Sequence, residues 1–444
     1  MSDIQTMSYD VVVVGGGPAG MGAALSAHEA GASVAILERN EHLGGILRQC
    51  IHPGFGLTHF KEELTGPEYA QRFIDQVKET DIAVHTGAMV LSIESAGGSE
   101  GDAAASPAVP SRKVVTAMCG DGILQFDAAA VVLAMGCRER TRQEIKIPGS
   151  RPAGVFTAGL AQRYLNIENL IPGHRFVILG SGDIGLIMAR RLSLEGLEVE
   201  GVYELMPYAN GLARNVRNCL DDFGIPLHLS HTVTRVIGKD RVEAVEVSQV
   251  DEHSAPIPGT ERVIECDALL LSVGLIPENE LSVAAGVELD PRTRGAKVDQ
   301  RLMTTVPGIF SCGNVLQVHD LADNVTAEAE RAGANAAAWA LAGKDGGAAV
   351  EPGEPLSIGL SAGGIASYCV PQRVSAAENT KIFFRVRTPV ESARARITSG
   401  DTVLFEGKPR AYKPSTMESV MLTRKMIEAA PADIVFSIEP ETEA

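Results

Sequence analysis

The chain opens on an apolar run. Val11–Val14 are four valines in succession, the mark of a strand buried on both faces. An Ala-rich stretch follows and predicts a helix, and Val34–Leu37 predicts a second buried strand. Lys61–Val77 reads as a helix with Pro67 near a first turn, and residues 82–94 alternate as half-buried strands do. Val114–Phe126 reads as short strands about the turn Gly120-Asp121-Gly122. Asp127 then precedes Ala128–Met135, a buried strand that ends on Gly136. After the Pro148-Gly149 and Pro152 linker the pattern starts again. Arg175–Leu179 is a strand, a helix runs through Leu194, and Val199–Tyr203 is a second strand. A meander over Thr232–Ile264 leads to Asp267, the apolar run Ala268–Val273 and Gly274. Near the end Lys381–Arg387, Ala393–Thr398 and Thr402–Phe405 predict short antiparallel strands, with a hairpin at Ser399-Gly400-Asp401. Two stretches break the patterning. Ser95–Ser111 is small, polar and of low complexity, expected as a flexible surface insertion without chemistry, and Gly343–Pro355 reads as a boundary.

Composition narrows the classes. With 444 residues, 45% of them hydrophobic, two or three domains with ordinary cores are expected. A net charge of −17 argues against a nucleic-acid surface and against an anionic membrane surface. The first ten residues carry neither the basic nor the apolar region of a secretory signal, and no apolar run approaches the ~20 residues of a membrane helix. A soluble, cytoplasmic protein is expected. The seven cysteines, at 50, 119, 137, 219, 266, 312 and 369, include no C-x-x-C and no His at metal-ligand spacing, so no metal site is expected.

Chemistry enters at the turn after the valines. Gly15-x-Gly17-x-x-Gly20, with Pro18 and Ala19 inside it, joins strand to helix, and the second strand ends in Glu38 followed by Arg39. The first glycine permits the turn, the second lets backbone approach a pyrophosphate, and the third packs helix on strand. A carboxylate about 20 residues on accepts the ribose hydroxyls of an adenine dinucleotide. The same unit returns as Gly180-Ser181-Gly182-Asp183-Ile184-Gly185, with Glu204 after the next strand. Either the two sites hold a flavin and a nicotinamide dinucleotide, or one fingerprint is vestigial. An NADP site needs an arginine near the end of the second strand, but Glu204 is followed by Leu205, Met206 and Pro207, so NAD(H) is favoured. Past Glu38, the glycine-rich stretch through Gly44 and Gly45 carries Cys50 and His52. These are candidate flavin-side residues or incidental members of a loop.

Both fingerprints, the turns Ala134-Met135-Gly136 and Ser272-Val273-Gly274, and the stretch Thr304–Val315 together resemble the pyridine nucleotide–disulfide oxidoreductase superfamily. The resemblance covers roughly residues 9–345. It implies an α/β fold of two Rossmann-like three-layer dinucleotide-binding domains, with an NAD domain inserted into an FAD domain, whereas the strand pattern of the tail predicts a small β-rich C-terminal domain, too short and too β-rich for the mixed α/β dimerisation domain usual in the family's disulfide reductases. The implied bounds are 1–150 and 275–345 for FAD, 151–274 for NAD and 346–444 for the last domain. Where the family's late motif ends Gly-Asp on the flavin ribityl chain, this chain has Gly313-Asn314, and the helix of about Asn324–Leu341 would aim its N-terminus at the flavin. The family's close cysteine pair is missing. The segment Gly44–Tyr69 looks closer to the NAD- and FAD-binding subunits of multi-component dehydrogenases, such as opine and amino-acid oxidase α-type subunits and the flavoprotein accompanying glycerol-3-phosphate dehydrogenase-like enzymes.

The leading expectation is an FAD-dependent NAD(H) oxidoreductase whose flavin exchanges electrons with a partner dehydrogenase subunit or a small acceptor, in a homo- or hetero-oligomer. One alternative is a self-contained oxidase, peroxidase or disulfide-type reductase using Cys50. The other is a nucleotide-binding scaffold subunit. In the tail, Arg385, Arg387, Arg394 and Arg396 form either a basic face for an acidic partner or the wet side of a strand.

Overall fold

The computed structural model describes residues 5–95, 112–342 and 358–441, so the insertion read after Ser95 and the boundary after Ala342 lie outside the described residues. The chain divides into two compact units, Met1–Cys137 with Pro277–Ala444, and Arg138–Ile276.

In the first unit the four valines belong to the strand Gln5–Val14, at the centre of a seven-stranded sheet among the described residues. Val34–Glu38 and Ala83–Thr86 lie on one side of it and Gly122–Leu133 on the other, followed by Ile309–Ser311, all parallel. The register matters for function. Val14 pairs with both Leu37 and Leu133, and Ser311 pairs with Leu133. Gly15, Glu38, Ala134 and Cys312 therefore leave the sheet at one carboxyl edge, where open parallel sheets bind their ligands. The helices Pro18–Glu29 and Ala322–Ala342 pack closely because small residues meet there. A Cβ on Gly333 would stand 2.0 Å from the Ala23 carbonyl oxygen.

Two readings change, and one alternative falls. The helix expected from Lys61 begins at Gly66, because Lys61 has φ +58° and Thr65 closes a capping box with Glu68. The hairpin strand and the apolar run after it are one strand, Gly122–Leu133, paired antiparallel with Lys113–Cys119 over its first half. The arginines of the tail form no basic face. Arg385 is half-buried on Asp320, Arg387 donates to the Gly364 carbonyl, and Arg394 and Arg396 sit among Glu406, Glu439 and Glu441. Alternation alone does not reveal the acidic strands laid beside them.

The tail itself is β-rich, as expected. Its own core gathers Ile382, Phe384, Ile397, Phe436 and Ile438. Ile434–Pro440 is central to its larger sheet, parallel to Ile358–Gly364 and antiparallel to Val390–Ser399.

The second unit repeats the plan with five parallel strands among the described residues: Val155–Thr157, Ala268–Leu271, Arg175–Leu179, Glu198–Glu204 and Leu227–Leu229. Leu179 pairs with both Tyr203 and Leu271, which again gathers the glycine turn, the acid and the Ser272–Gly274 turn at one edge. The meander of three antiparallel strands follows. No helix of the described residues is long and apolar enough to cross a membrane, and the seven cysteines, all among the described residues, form no disulfide.

Candidate functional site

The first cradle is built by backbone. Gly15 turns at φ +109°, and a Cβ there would lie 2.5 Å from the Ala134 carbonyl oxygen. Gly20 is tighter still, since its Cβ would reach within 1.7 Å of the Gly15 carbonyl oxygen. Gly17 differs, with nothing nearer than the Gly45 Cα at 3.9 Å, and Gly136 has no neighbour within 4 Å. These open positions form a cradle that side chains would fill, at the N-terminus of a helix that starts on Pro18 and has the buried Ala19 in its first turn. The donors and the space fit a pyrophosphate. Glu38, 5% exposed, accepts the Gly16 N–H (2.7 Å) on one oxygen and the Asn40 N–H (2.8 Å) and side-chain amide (2.7 Å) on the other. These bonds fix the carboxylate and leave lone pairs for ribose hydroxyls. Arg39 beside it is exposed. The Gly44 N–H returns to the Gly16 carbonyl (2.8 Å), so Gly44 and Gly45 form the lip of the cradle.

Beyond the lip the chain is packed. Cys50 is buried against Gly66, its thiol donates to the Ile46 carbonyl (3.3 Å), and burial pushes its pKa up to about 12. A thiol of that kind is not a nucleophile at neutral pH. His52 bonds the Pro53 carbonyl through Nδ1 (3.0 Å) and lies beside the Phe55 ring. Asp323, unremarked in the sequence, sits in the first turn of Ala322–Ala342 and accepts the N–H groups of Gly56 (3.1 Å) and His59 (2.9 Å). It ties the loop after Cys50 to the helix that carries the late motif's other partners.

The late motif is held from within. Gly313 turns at φ +73° against Ala19. Asn314 Oδ1 accepts the His319 N–H (3.0 Å) and its Nδ2 donates to the Cys137 sulfur (3.6 Å). Glu328, one helical turn and more into Ala322–Ala342, accepts the Gly313 N–H (2.7 Å). No motif in the sequence marked Glu328. Its position three to four residues from Asn324 and Val325, on the buried stripe of that helix, was the available signal.

The second cradle uses side chains as well. Gly180 turns at φ +95°, and a Cβ there would stand 2.1 Å from the Ser272 carbonyl oxygen, while the Gly185 N–H donates to Ser272 Oγ (3.1 Å). A Cβ on Gly182 would meet the same Oγ at 3.1 Å. Glu204, 3% exposed, accepts the Ser181 N–H (2.9 Å) and hydroxyl (2.6 Å) and the Met206 N–H (2.9 Å). Asp183 turns away from the helix end to accept the Leu212 N–H (2.8 Å) and the Asn215 side-chain amide (2.7 Å), while Ile184 is half-buried. The Asn210 N–H reaches Ser181 Oγ (2.9 Å), so residues 205–212 form this cradle's lip. The turn pair Asn210-Gly211 was its sequence signal. Gly274, at φ +104°, receives the Arg140 N–H on its carbonyl (3.0 Å). The glycine turns and the strand-end acids are thus gathered at one sheet edge in each unit, and Cys50 and His52 lie apart from them.

Residues 9–333 match the pyridine nucleotide-disulphide oxidoreductase family. Similar curated proteins include an opine oxidase subunit from Agrobacterium tumefaciens (strain Ach5), 29% identical over 320 residues, 69% of this chain and 61% of that one. Hydrogen cyanide synthase subunit HcnB of Pseudomonas protegens is 26% identical over 305 residues, 64% of this chain and 60% of that one. The chain thus aligns with about three fifths of the length of these relatives. Among solved structures, thioredoxin reductase of T. acidophilum superposes with a TM-score of 0.57 at 26% identity, covering 74% of this chain and 96% of that one. The match spans both fingerprints and both acids, and it reaches through the late motif into the helix beyond. The chain belongs to the pyridine nucleotide-disulphide oxidoreductase family, whose members use FAD and NAD(P)H, and its fold is mixed α/β.

Proposed function

We propose that the chain exchanges hydride between NAD(H) and FAD, and that the flavin side exchanges electrons with a partner dehydrogenase subunit or a small acceptor. One observation carries the reading. In each unit the acid that ends the second strand accepts the N–H of the residue between the first two glycines, at 2.7 Å in one and 2.9 Å in the other. Each acid also accepts the N–H two residues on, from Asn40 and from Met206. Two carboxylates held in the same frame support two ribose sites. FAD is assigned to Met1–Cys137 with the return from Pro277 to Ala342, and NAD(H) to Arg138–Ile276.

The bound dinucleotides supply the hydride chemistry, and the protein supplies place and field. Glu38 and Glu204 orient ribose, the helix N-termini at Pro18 and Asp183 face phosphate, and the packed Gly15 and Gly180 turns fix the distance between strand and helix. A carboxylate already loaded with three N–H and O–H donors offers a 2′-phosphate only repulsion, which supports NADH over NADPH. The buried Cys50, pushed up to about 12, supports a route without a thiolate, and no role in the reaction is assigned to it or to His52. The opine oxidase and hydrogen cyanide synthase relatives are both named as subunits, which supports a partner chain, and free cysteines suit a cytoplasmic setting.

Anaerobic titration of the yellow protein with NADH, then NADPH, followed at the flavin band near about 450 nm, tests this. Bleaching by NADH and not by NADPH is expected. Equal bleaching by both removes the role given to Glu204, and bleaching by neither removes the hydride reading.

A further inference from the structure

A second device holds the FAD turn, and it lies outside both fingerprints. Glu328 is 3% exposed, yet its carboxylate accepts three bonds: the Gly313 N–H (2.7 Å), the Gln317 side-chain amide (2.7 Å) and His319 Nε2 (3.1 Å). The His319 side chain is as buried as that of Glu328, and its backbone N–H is the donor that Asn314 Oδ1 accepts. One segment, Gly313–His319, is therefore gripped twice, by Glu328 from the helix and by Asn314 from within. Only one of the two grips is a carboxylate.

The arrangement is poorly explained by stability alone. A buried carboxylate costs several kcal/mol of desolvation, and such a cluster breaks even only when its polar atoms are all satisfied. Here His319 Nδ1 and Gln317 Oε1 are buried with no partner among the described residues. What the cluster does achieve is geometric. It fixes the amide of Gly313, whose φ of +73° lays the turn on Ala19 at the start of the phosphate helix. It also aims Asn314, whose other end donates to the Cys137 sulfur beside the open Gly136 turn.

We propose that Glu328 is a positioning residue for FAD, and that Glu328 and Asn314 are a matched pair of which one alone carries charge. The proposal rests on the assignment of FAD to this unit. A carboxylate at 314 would add a second, half-buried anion beside that of Glu328, and would lose the donation to Cys137. A neutral group at 328 would leave the Gly313 turn without its charge-assisted bond.

The test is a double-mutant cycle read by FAD affinity of the apo-protein at fixed pH, with apo melting temperatures measured alongside. E328Q and N314D are each expected to weaken FAD binding by about tenfold. N314D/E328Q, which restores one charge to the segment, is expected to bind no more weakly than either single variant. Asn314→Asp is nearly isosteric at a half-buried position, so it keeps the test alive if E328Q does not fold. Unchanged or tighter binding by N314D, or losses that simply multiply to about a hundredfold, would overturn the matched pair. FAD affinities that follow the apo melting temperatures would overturn positioning in favour of stability. A wild-type chain that takes up no FAD overturns the assignment of the unit itself, a result distinct from both.

Discussion

The two cradles share a frame and differ in what closes them. In both, the chain past the acid returns to the residue between the first two glycines. In the first, the Gly44 N–H meets a backbone carbonyl, that of Gly16 (2.8 Å). In the second, the Asn210 N–H meets a side chain, Ser181 Oγ (2.9 Å), and the Leu212 N–H meets another, Asp183 Oδ1 (2.8 Å). The first lip runs on into a buried turn through Leu47, Gln49 and Cys50, whereas the second stays half-exposed. The middle glycine is open in the first and shadowed by Ser272 Oγ in the second. A backbone latch set in a packed turn suits a ligand that stays. A latch of hydroxyl and carboxylate, with other acceptors always at hand, suits one that comes and goes.

The sharpest way to break this comparison is to crowd the third glycine of each turn. A methyl at Gly20 would press to 1.7 Å on a backbone oxygen, against 2.8 Å to the equivalent oxygen and 2.7 Å to the Ser272 side chain at Gly185. Overpacking costs about 1–3 kcal/mol where neighbours can shift, and more where they are backbone. Gly20→Ala is expected to give a protein without flavin that melts well below wild type. Gly185→Ala is expected to keep its flavin and lose bleaching by NADH. If the Gly185 variant also loses flavin, the two units do not act separately.

A smaller effect sharpens the choice of nucleotide. Glu204→Gln keeps an acceptor for the Ser181 N–H and removes the charge. NADH affinity is expected to fall about tenfold, and NADPH affinity to stay or rise, so that discrimination shrinks. The readout is the half-saturation of flavin bleaching by each nucleotide. An unchanged ratio would place the selection elsewhere.

Much of this was legible in the chain. A valine run, three glycines and an acid at about 20 residues state a dinucleotide unit because each residue type answers a local steric or electrostatic need, and the need recurs at Gly180–Glu204. What stayed hidden was set by tertiary contact. Glu328 and Asp323 are one helix's acids, and only the fold brings them to Gly313 and Gly56. Ser272 gave no sign of reaching the Gly185 amide. The helix start at Gly66 was missed because Lys61–Leu64 has helical composition, while the capping box at Thr65 decides the boundary. The arginines of the tail were read without the glutamates that pair with them from other strands.

At neutral pH Cys50 gives the smallest effect, and above it the cleanest sign. It lies at the end of the first lip, and the second lip has no counterpart. Burial raises the folded pKa to about 12, above the ordinary thiol value of about 8.5. A raised pKa means that the native state holds its proton more firmly than the unfolded state. The associated stability is therefore whole below about pH 8.5 and is lost as pH climbs toward about 12. Cys50→Ala lacks this contribution and loses only the packing of the sulfur. In urea melts the gap between wild type and variant is expected to narrow by roughly 1.4 kcal/mol for each pH unit above about 8.5. Native protein treated with iodoacetamide at neutral pH is expected to leave the Cys50 peptide unlabelled. Rapid labelling there would mean a thiolate stands at the lip of the first cradle, and the rival single-cysteine chemistry would return with it.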